Sequence, residues 1–514
     1  MPSGLKIVDL LRHHADLTPH RVALRIDGEP RSFVELVAGV ERASARLSAL
    51  VDPGSRVGLW FHNCFAWVES FLALDDIGAV SVPVNTRLTG SELQVILQAA
   101  QLSALITTPS YRKRRYTEEA IATLEAAGRA LPVIEASDAQ PASAWPVLHS
   151  GGQREPVVAS PAGVFCIQYT SGTTSIPKGV MLTDAAYLQT AGYVARCQRL
   201  TPSSRFISAA PFFHCSGTMH ALTVSLLAGC SLDSMSVWDP ERFVTEVAVR
   251  GSDTAHMVYF RDVLSIARPE TRGQLASLRV AHDLGTPEFL QRIADELGIA
   301  GISNIYGMTE TCGQFTMWTP GAPLEHRVGG NGYAQPGNRI RIADPSTLTE
   351  LPRGATGEIQ MNGPTVTAGY FANPQAQSQA FTADGWFRSG DLGRIGDDGQ
   401  LIYVARLKEM IRVGGENLAP AEVEQALRDL CGTSQACAIG VPDPRLDEVV
   451  AAVLVSPQVQ DWAAVVAQLR TRLAGFKVPR AIYLADALPI TATNRVQRAT
   501  LRDWIAAGRL QRVL

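Results

Sequence analysis

From residue 35 to residue 108 the apolar positions switch repeatedly between two periods. "ELVAGVERASARL" (35–47) repeats them every three or four residues, the spacing of a helix with one buried face. "RVGLWF" (56–61) and "AVSVPV" (79–84) are short, β-branched and apolar throughout, as strands buried on both faces are. "SELQVILQAAQ" (91–101) returns to the helical period and "ALITT" (104–108) to the strand. This βαβα rhythm predicts a mostly parallel sheet with helices on its faces. A polar stretch, "HSGGQREP" (149–156), then separates this lobe from "VFCIQYT" (164–170), a further strand, and "DAAYLQTAGYVARCQ" (184–198), a helix.

From about 320 the texture changes to Gly, Pro and short strands, a small β-rich lobe with a hairpin turn at "DDG" (397–399). Beyond Lys408 come "PAEVEQALRDL" (helix), "ACAIGVP" and "EVVAAVLVS" (strands), "WAAVVAQLRTRLAG" (helix) and a C-terminal helix. The expected fold is α/β: a large N-terminal domain, 1–407, and a small α+β domain, 408–514, long enough to fold alone.

Composition narrows the class. With 514 residues the chain is too long for one core. A net charge of −3 gives no reason to expect nucleic acid, and the basic run "RKRR" (112–115) reads as a solvated loop. The N-terminal twenty residues form an amphipathic pattern without a signal-peptide core, and no apolar run reaches the ~18 residues that span a bilayer. Eight scattered cysteines without a CxxC pair point away from zinc and disulfides, and so to the cytoplasm. Only five basic residues are lysine (6, 113, 178, 408 and 477); the other 41 are arginine.

"YTSGTTSIPKG" (169–179) carries the first chemistry. It packs six hydroxyls, two glycines and one lysine into a loop placed after a strand and before a helix, where α/β sheets hold ligands. Hydroxyls and backbone N–H groups suit phosphate oxygens, glycine admits a close approach, and Lys178 supplies a compact charge. The spacing is not that of a Walker P-loop, because Lys178 precedes its glycine. A plain Ser/Thr/Gly linker is the alternative, disfavoured because "PKG" runs straight into a hydrophobic strand.

The loop resembles the phosphate-binding signature of the adenylate-forming superfamily, in its acyl-CoA synthetase (acid–CoA ligase) branch, with Ser175 at a usual glycine. Four further segments resemble that family's motifs in order: "PFFHCSG" (211–217), "NIYGMTE" (304–310), "WFRSGDLG" (386–393) and "VARLKEMIRVGGENLAPAEVE" (404–424). Taken singly, His214 reads as a core histidine, Glu310 as a cap and Asp391 as a turn residue. Five in sequence, across about 15–505, carry the resemblance.

The resemblance implies ATP, Mg²⁺ and CoA as cofactors and a carboxylic acid as substrate. Thr170, Ser171, Gly172, Thr173, Thr174 and Lys178 would hold phosphates, with Tyr306 and Gly307 by the adenine and Thr309 on the α-phosphate. Thr170 and Glu310 would hold Mg²⁺. Asp391 would accept from both ribose hydroxyls, with Tyr403 and Arg406 near the nucleotide. His214, Ser216, Gly217, Tyr259, Met308 and Cys312 would line the acyl pocket. Lys408 would be the hinge, and Gly414 and Gly415 would admit the pantetheine arm. The acid would be activated as acyl-AMP, then passed to a thiol. An acyl carrier protein in place of CoA, and a homodimer, remain open.

Two departures stand out. "LPITATNRVQR" (488–498) has Asn494 and Arg495 where the family has glycine and a catalytic lysine. Arg495 either substitutes for that lysine or leaves an impaired enzyme that binds nucleotide or acyl-adenylate, since guanidinium is planar and bulkier than ammonium. "VAHDLGTPEFL" (280–290) puts His282, Asp283 and Leu284 where a Gly-Gly-Ala-Pro-like turn is usual: either His282 or Asp283 touches ligand, or the loop satisfies its own backbone. "CSGTMHALTVSLL" lacks the acid that would pair an α-amine, so a plain carboxylic acid, alkyl or aryl, is expected rather than an amino acid.

Overall fold

The computed structural model describes residues 4–88, 90–149, 163–170, 177–256, 259–319, 321–413, 416–418, 420–459, 461–490 and 496–514. The chain divides into two compact units. The first is Met1–Arg341 with Gln360–Arg388 and Ile395–Ile402; the second is Ile342–Ile359 with Ser389–Arg394 and Tyr403–Leu514.

The first unit is built on two seven-stranded sheets. In one, the order is Val147–His149, Val133–Glu135, Ala104–Thr107, Arg56–Trp60, Val80–Pro83, Val164–Thr170, Lys178–Thr183, parallel except for the two end strands. In the other it is Ile302–Asn304, Val280–Asp283, Thr254–His256, Arg205–Ser208, Ser231–Ser234, Val22–Ile26, Glu29–Ser32, parallel except for the last. The apolar runs of the sequence become these strands because both faces are covered: every residue of Arg56–Trp60, Val80–Pro83 and Ala104–Thr107 is buried.

The helices start where the sequence supplies caps. Ser32 and Glu35 form a capping box before Phe33–Ser48, whose Leu36, Val40, Ala43 and Leu47 face inward. Thr183 accepts from Ala186 N–H at 3.2 Å and starts Asp184–Cys197. Asp239 and Thr286, each followed by proline, start Pro240–Arg250 and Pro287–Leu297. The stretch 339–406 carries the strands Arg339–Ala343, Gly357–Asn362, Phe387–Ile395 and Leu401–Arg406.

The second unit has its own core of Ile411, Val423, Leu427, Val450, Leu454, Leu469 and Ile482. Gln435–Asp443 and Asp447–Val455 pair antiparallel over nine positions, and Ala481–Ala485 adds in parallel. All eight cysteines are buried free thiols. In the basic run, Arg112, Lys113 and Arg115 are exposed, but Arg114 turns inward. It pairs with Glu119 at 2.6 Å and lies 4.7 Å over the Trp60 ring.

Candidate active site

The structure corrects one local expectation. The strand before the Ser/Thr/Gly segment is followed, among the described residues, by an antiparallel strand and not by a helix. Val164–Thr170 and Lys178–Thr183 pair antiparallel with Thr170 opposite Lys178, and the helix begins only at Asp184. Ser171, Gly172, Thr173 and Thr174 lie outside the described residues.

The Lys178 strand gains a second neighbour. Met181 N–H donates to Gly369 O (2.9 Å), Phe371 N–H to Gly179 O (2.8 Å), and Val180 bridges Tyr370. This lays the Tyr370 ring 5.1 Å beneath the Lys178 ammonium. The Tyr370 hydroxyl donates to Glu310 Oε1 at 2.8 Å, and Thr367 N–H donates to Glu310 O at 2.7 Å. One buried tyrosine thus carries the lysine on its face and the glutamate on its edge. Burial, then the neighbouring carboxylate, pushes its phenol well above the usual range, so it stays a donor. Sequence reading missed Tyr370: an aromatic after a glycine, outside any periodic stretch, gave no signal.

Glu310 belongs to the tight helical turn Thr309–Thr311, which Met308 and Thr311 cap. Tyr306 and Thr309 are buried; Gly307 and Met308 are half-buried. The chain folds back on itself here: a Cβ on Gly307 would lie 2.5 Å from Gln314 Cα and Gly313 O. Gly307→Ala is therefore expected to cost about 1–3 kcal/mol, read as a melting temperature several degrees lower. Cys312 ends the turn at φ 56°, fully buried, its thiol pushed above the usual range by burial.

His214 stands before the short helix Cys215–Gly217, half-buried, with Nδ1 turned to Ser216: the backbone N–H donates at 3.2 Å and Oγ lies at 2.8 Å. Nδ1 is therefore the acceptor of the Ser216 N–H. Gly217 has no room for a side chain, with Pro211 O 2.3 Å from where its Cβ would be. Tyr259 is half-buried before the helix Phe260–Ser265, its ring 5.5 Å from Trp238.

In the second unit, buried Asp391 pairs through Oδ1 with Arg406 Nε at 2.8 Å. The two residues expected near the nucleotide are thus brought together, one within the strand Phe387–Ile395 and the other at the end of Leu401–Arg406. Tyr403 is exposed on that strand, and Lys408 lies in the single turn Leu407–Glu409 that follows. Gly414, Gly415 and Arg495 are outside the described residues. At 280–290, Asp283 Oδ1 accepts from Leu284 N–H at 2.7 Å, and Asn304 Nδ2 donates to Gly285 O at 2.9 Å.

Two mostly parallel sheets, a hydroxyl-rich segment ending in lysine, and a glutamate held on the same tyrosine as that lysine define a class: enzymes that use a nucleotide triphosphate to activate an acid. Residues 11–371 match the AMP-binding enzyme family and 422–495 the AMP-binding enzyme C-terminal domain; the chain belongs to the AMP-binding enzymes. A feruloyl-CoA synthase from an Amycolatopsis species is 34% identical over 499 residues, 95% of this chain and 96% of that one. The ATP-bound structure of MatB from Rhodopseudomonas palustris is 28% identical, with TM-score 0.85 over 97% and 99% of the two chains. The o-succinylbenzoate CoA synthetase MenE of Bacillus subtilis, in complex with ATP and magnesium ion, is 26% identical, with TM-score 0.80 over 96% and 99%.

The protein is an AMP-forming acid–thiol ligase that uses ATP, Mg²⁺ and CoA. The donor set fits the ion. Glu310 presents a hard carboxylate oxygen, and Mg²⁺ characteristically takes one or two such groups together with substrate phosphates. Among the described residues, no helix is long and apolar enough to cross a membrane.

Proposed function

We propose that the ligase reaction runs on the residues above, in two half-reactions. A carboxylate and ATP repel each other, so the first task is to screen charge and hold the acid in line with the α-phosphorus. Thr170, Ser171, Gly172, Thr173, Thr174 and Lys178 take the phosphates; Thr309 takes the α-phosphate. Thr170 and Glu310 hold Mg²⁺, which neutralises phosphate charge when bound. Tyr306 and Gly307 flank the adenine. Asp391 accepts from the ribose hydroxyls, with Arg406 and Tyr403 beside it. A carboxylate oxygen attacks the α-phosphorus, the bond to the β-phosphate oxygen breaks, and pyrophosphate leaves. The thiolate of CoA then attacks the carbonyl carbon of the acyl-AMP and AMP leaves as the phosphate anion.

The acid lies among His214, Ser216, Gly217, Tyr259, Met308 and Cys312. Residues 1–407 and 408–514 act as the two domains, with Lys408 as pivot and Gly414 and Gly415 beside the pantetheine arm. The enzyme works in the cytoplasm, with free CoA as acceptor. The observation that carries this reading is the shared contact of Lys178 and Glu310 with Tyr370: a cation and a carboxylate held by one side chain, as opposed charges on a metal–phosphate group require.

Pyrophosphate release over a panel of alkyl and aryl acids, with and without CoA, tests it. Arg495→Ala is expected to slow release at least about 100-fold, and Arg495→Lys to match or exceed the wild type. Unchanged release in Arg495→Ala removes arginine from the adenylation step. Turnover only with a pantetheinylated carrier protein, and not with free CoA, replaces CoA by that partner. Sedimentation separates monomer from homodimer.

A further inference from the structure

Three histidines without a role in that scheme form one buried cluster. His256 ends the strand Thr254–His256 and is paired in register with His282, which is paired with Ser303 on the next strand. Register partners of parallel strands share a face, so these three form a row at the strands' C-terminal ends, where α/β sheets take ligands. His220 joins from the helical segment Thr218–Thr223, edge-on to His256 with ring centroids 4.5 Å apart. No ring is more than 1% exposed.

The hydrogen bonds assign every proton. Burial pushes the rings' pKa down to about 3 at His220 and His282, and well below the usual value at His256, so all three are neutral. A carbonyl only accepts, so His220 Nε2, 3.2 Å from Cys312 O, carries the hydrogen. His220 Nδ1 is then bare and accepts from His256 Nε2–H at 2.6 Å. His256 Nδ1 is bare in turn and accepts the long 3.5 Å bond from the Gln198 amide nitrogen, which also donates to His282 Nδ1 at 3.0 Å. The last proton falls on His282 Nε2. That N–H is buried without an acceptor among the described residues, and so is the hydroxyl of Ser303 beside it in the row. A buried donor left without an acceptor is costly, so the row calls for one.

The other end of the relay touches the acyl wall. A Cβ on Gly313 would lie 2.6 Å from His220 Nε2 and 3.0 Å from Cys215 Sγ, next to Cys312.

Resting on the ligase reading, we propose that His282 Nε2–H and Ser303 Oγ bind a neutral oxygen, such as a hydroxyl, methoxy or keto group, at the far end of the acid, making His282 a specificity determinant. With the Gln198 amide nitrogen donating to His282 Nδ1, the His282 hydrogen sits on Nε2, and this end of the row is a donor.

The full-length enzyme is assayed for pyrophosphate release with 3-arylpropenoic acids in matched pairs, 4-hydroxy against 4-methyl and 4-methoxy against 4-ethyl, beside unsubstituted straight-chain acids. The wild type is expected to favour the oxygen-bearing member at least about tenfold in kcat/KM, because a site built for a hydrogen bond rejects the analogue lacking it. In His282→Leu the ratio falls to about one with KM for ATP unchanged, and in Ser303→Ala it falls severalfold. Should His282→Leu fail to fold, Ser303→Ala decides, since it removes one atom. A wild-type ratio near one, or a folded variant keeping the preference, overturns the proposal and leaves a bound water as the row's partner. Turnover of straight-chain acids alone likewise overturns it while the ligase reading stands. No pyrophosphate from any acid ends both.

Discussion

Replacing Glu310 by glutamine is expected to lower acid-dependent pyrophosphate release about 10²–10³-fold while the protein stays folded. The substitution keeps shape and hydrogen bonding. A glutamine carbonyl still accepts from the Tyr370 hydroxyl that lies 2.8 Å from Glu310 Oε1, and the backbone bond from Thr367 N–H does not involve the side chain. What disappears is one negative charge, the one that would hold Mg²⁺ against the phosphates. Raising Mg²⁺ is therefore expected to recover part of the loss. Tyr370→Phe separates the two functions of the tyrosine: the ring still supports Lys178, 5.1 Å away, but the carboxylate loses its donor. Its expected cost is about 5- to 30-fold, because a neutral hydrogen bond to a half-buried charge is worth roughly 1–2 kcal/mol. A Glu310→Gln enzyme within threefold of the wild type, measured at subsaturating Mg²⁺, removes Glu310 from the metal site.

How much of this was legible in the sequence depended on how local the determining contacts are. The strands Arg56–Trp60, Val80–Pro83 and Ala104–Thr107 and the helices Phe33–Ser48 and Pro420–Cys431 are written in short-range periodicity, and the structure has them within a residue or two. The antiparallel strand after Thr170 was less visible, because "KGVMLT" and the cap of the following helix make one unbroken stretch. Arg56 illustrates what periodicity misses. A charged residue opening a strand suggests an exposed end, yet Arg56 is 1% exposed, bonded to Ala100 O at 2.7 Å and lying 4.7 Å over Phe371. Tyr370 is the same case at the site: its neighbours Lys178 and Glu310 are distant in sequence, and only the pairing of 369–371 with the Lys178 strand brings them together. His220 and His256 drew no notice in the sequence, and His282 stood out only as a departure from a Gly-Gly-Ala-Pro-like turn. Their row exists only through sheet register, which no window of sequence contains.

The same buried rings make a second large effect. A histidine whose folded pKa lies below its unfolded value contributes stability above the unfolded pKa and loses it as pH falls toward the folded one. For His220 and His282 that window runs from 6.5 down to about 3, because desolvation opposes the charged ring. Between pH 7.5 and 5.5 each is expected to withdraw about 1 kcal/mol, as the unfolded chain takes up protons that the folded rings refuse. Carboxyls shifted the other way oppose this. Burial raises Glu69 and Asp283 to about 7, and it raises the Asp75–Asp184 pair as well; these groups gain stability as pH falls through the same range. The wild-type curve alone therefore mixes both signs, and a difference isolates the histidine term. His282→Asn removes one titrating ring and leaves the carboxyls in place. It is expected to be about 2 kcal/mol less stable than the wild type at pH 7.5, with that gap narrowing by about 1 kcal/mol at pH 5.5, in urea unfolding followed by tryptophan fluorescence. A gap that stays constant or widens on acidification means that the folded ring accepts a proton. A charged His282 would have hydrogens on both nitrogens, Nδ1 could no longer accept from the Gln198 amide, and the proton assignment of the whole row would fail with it.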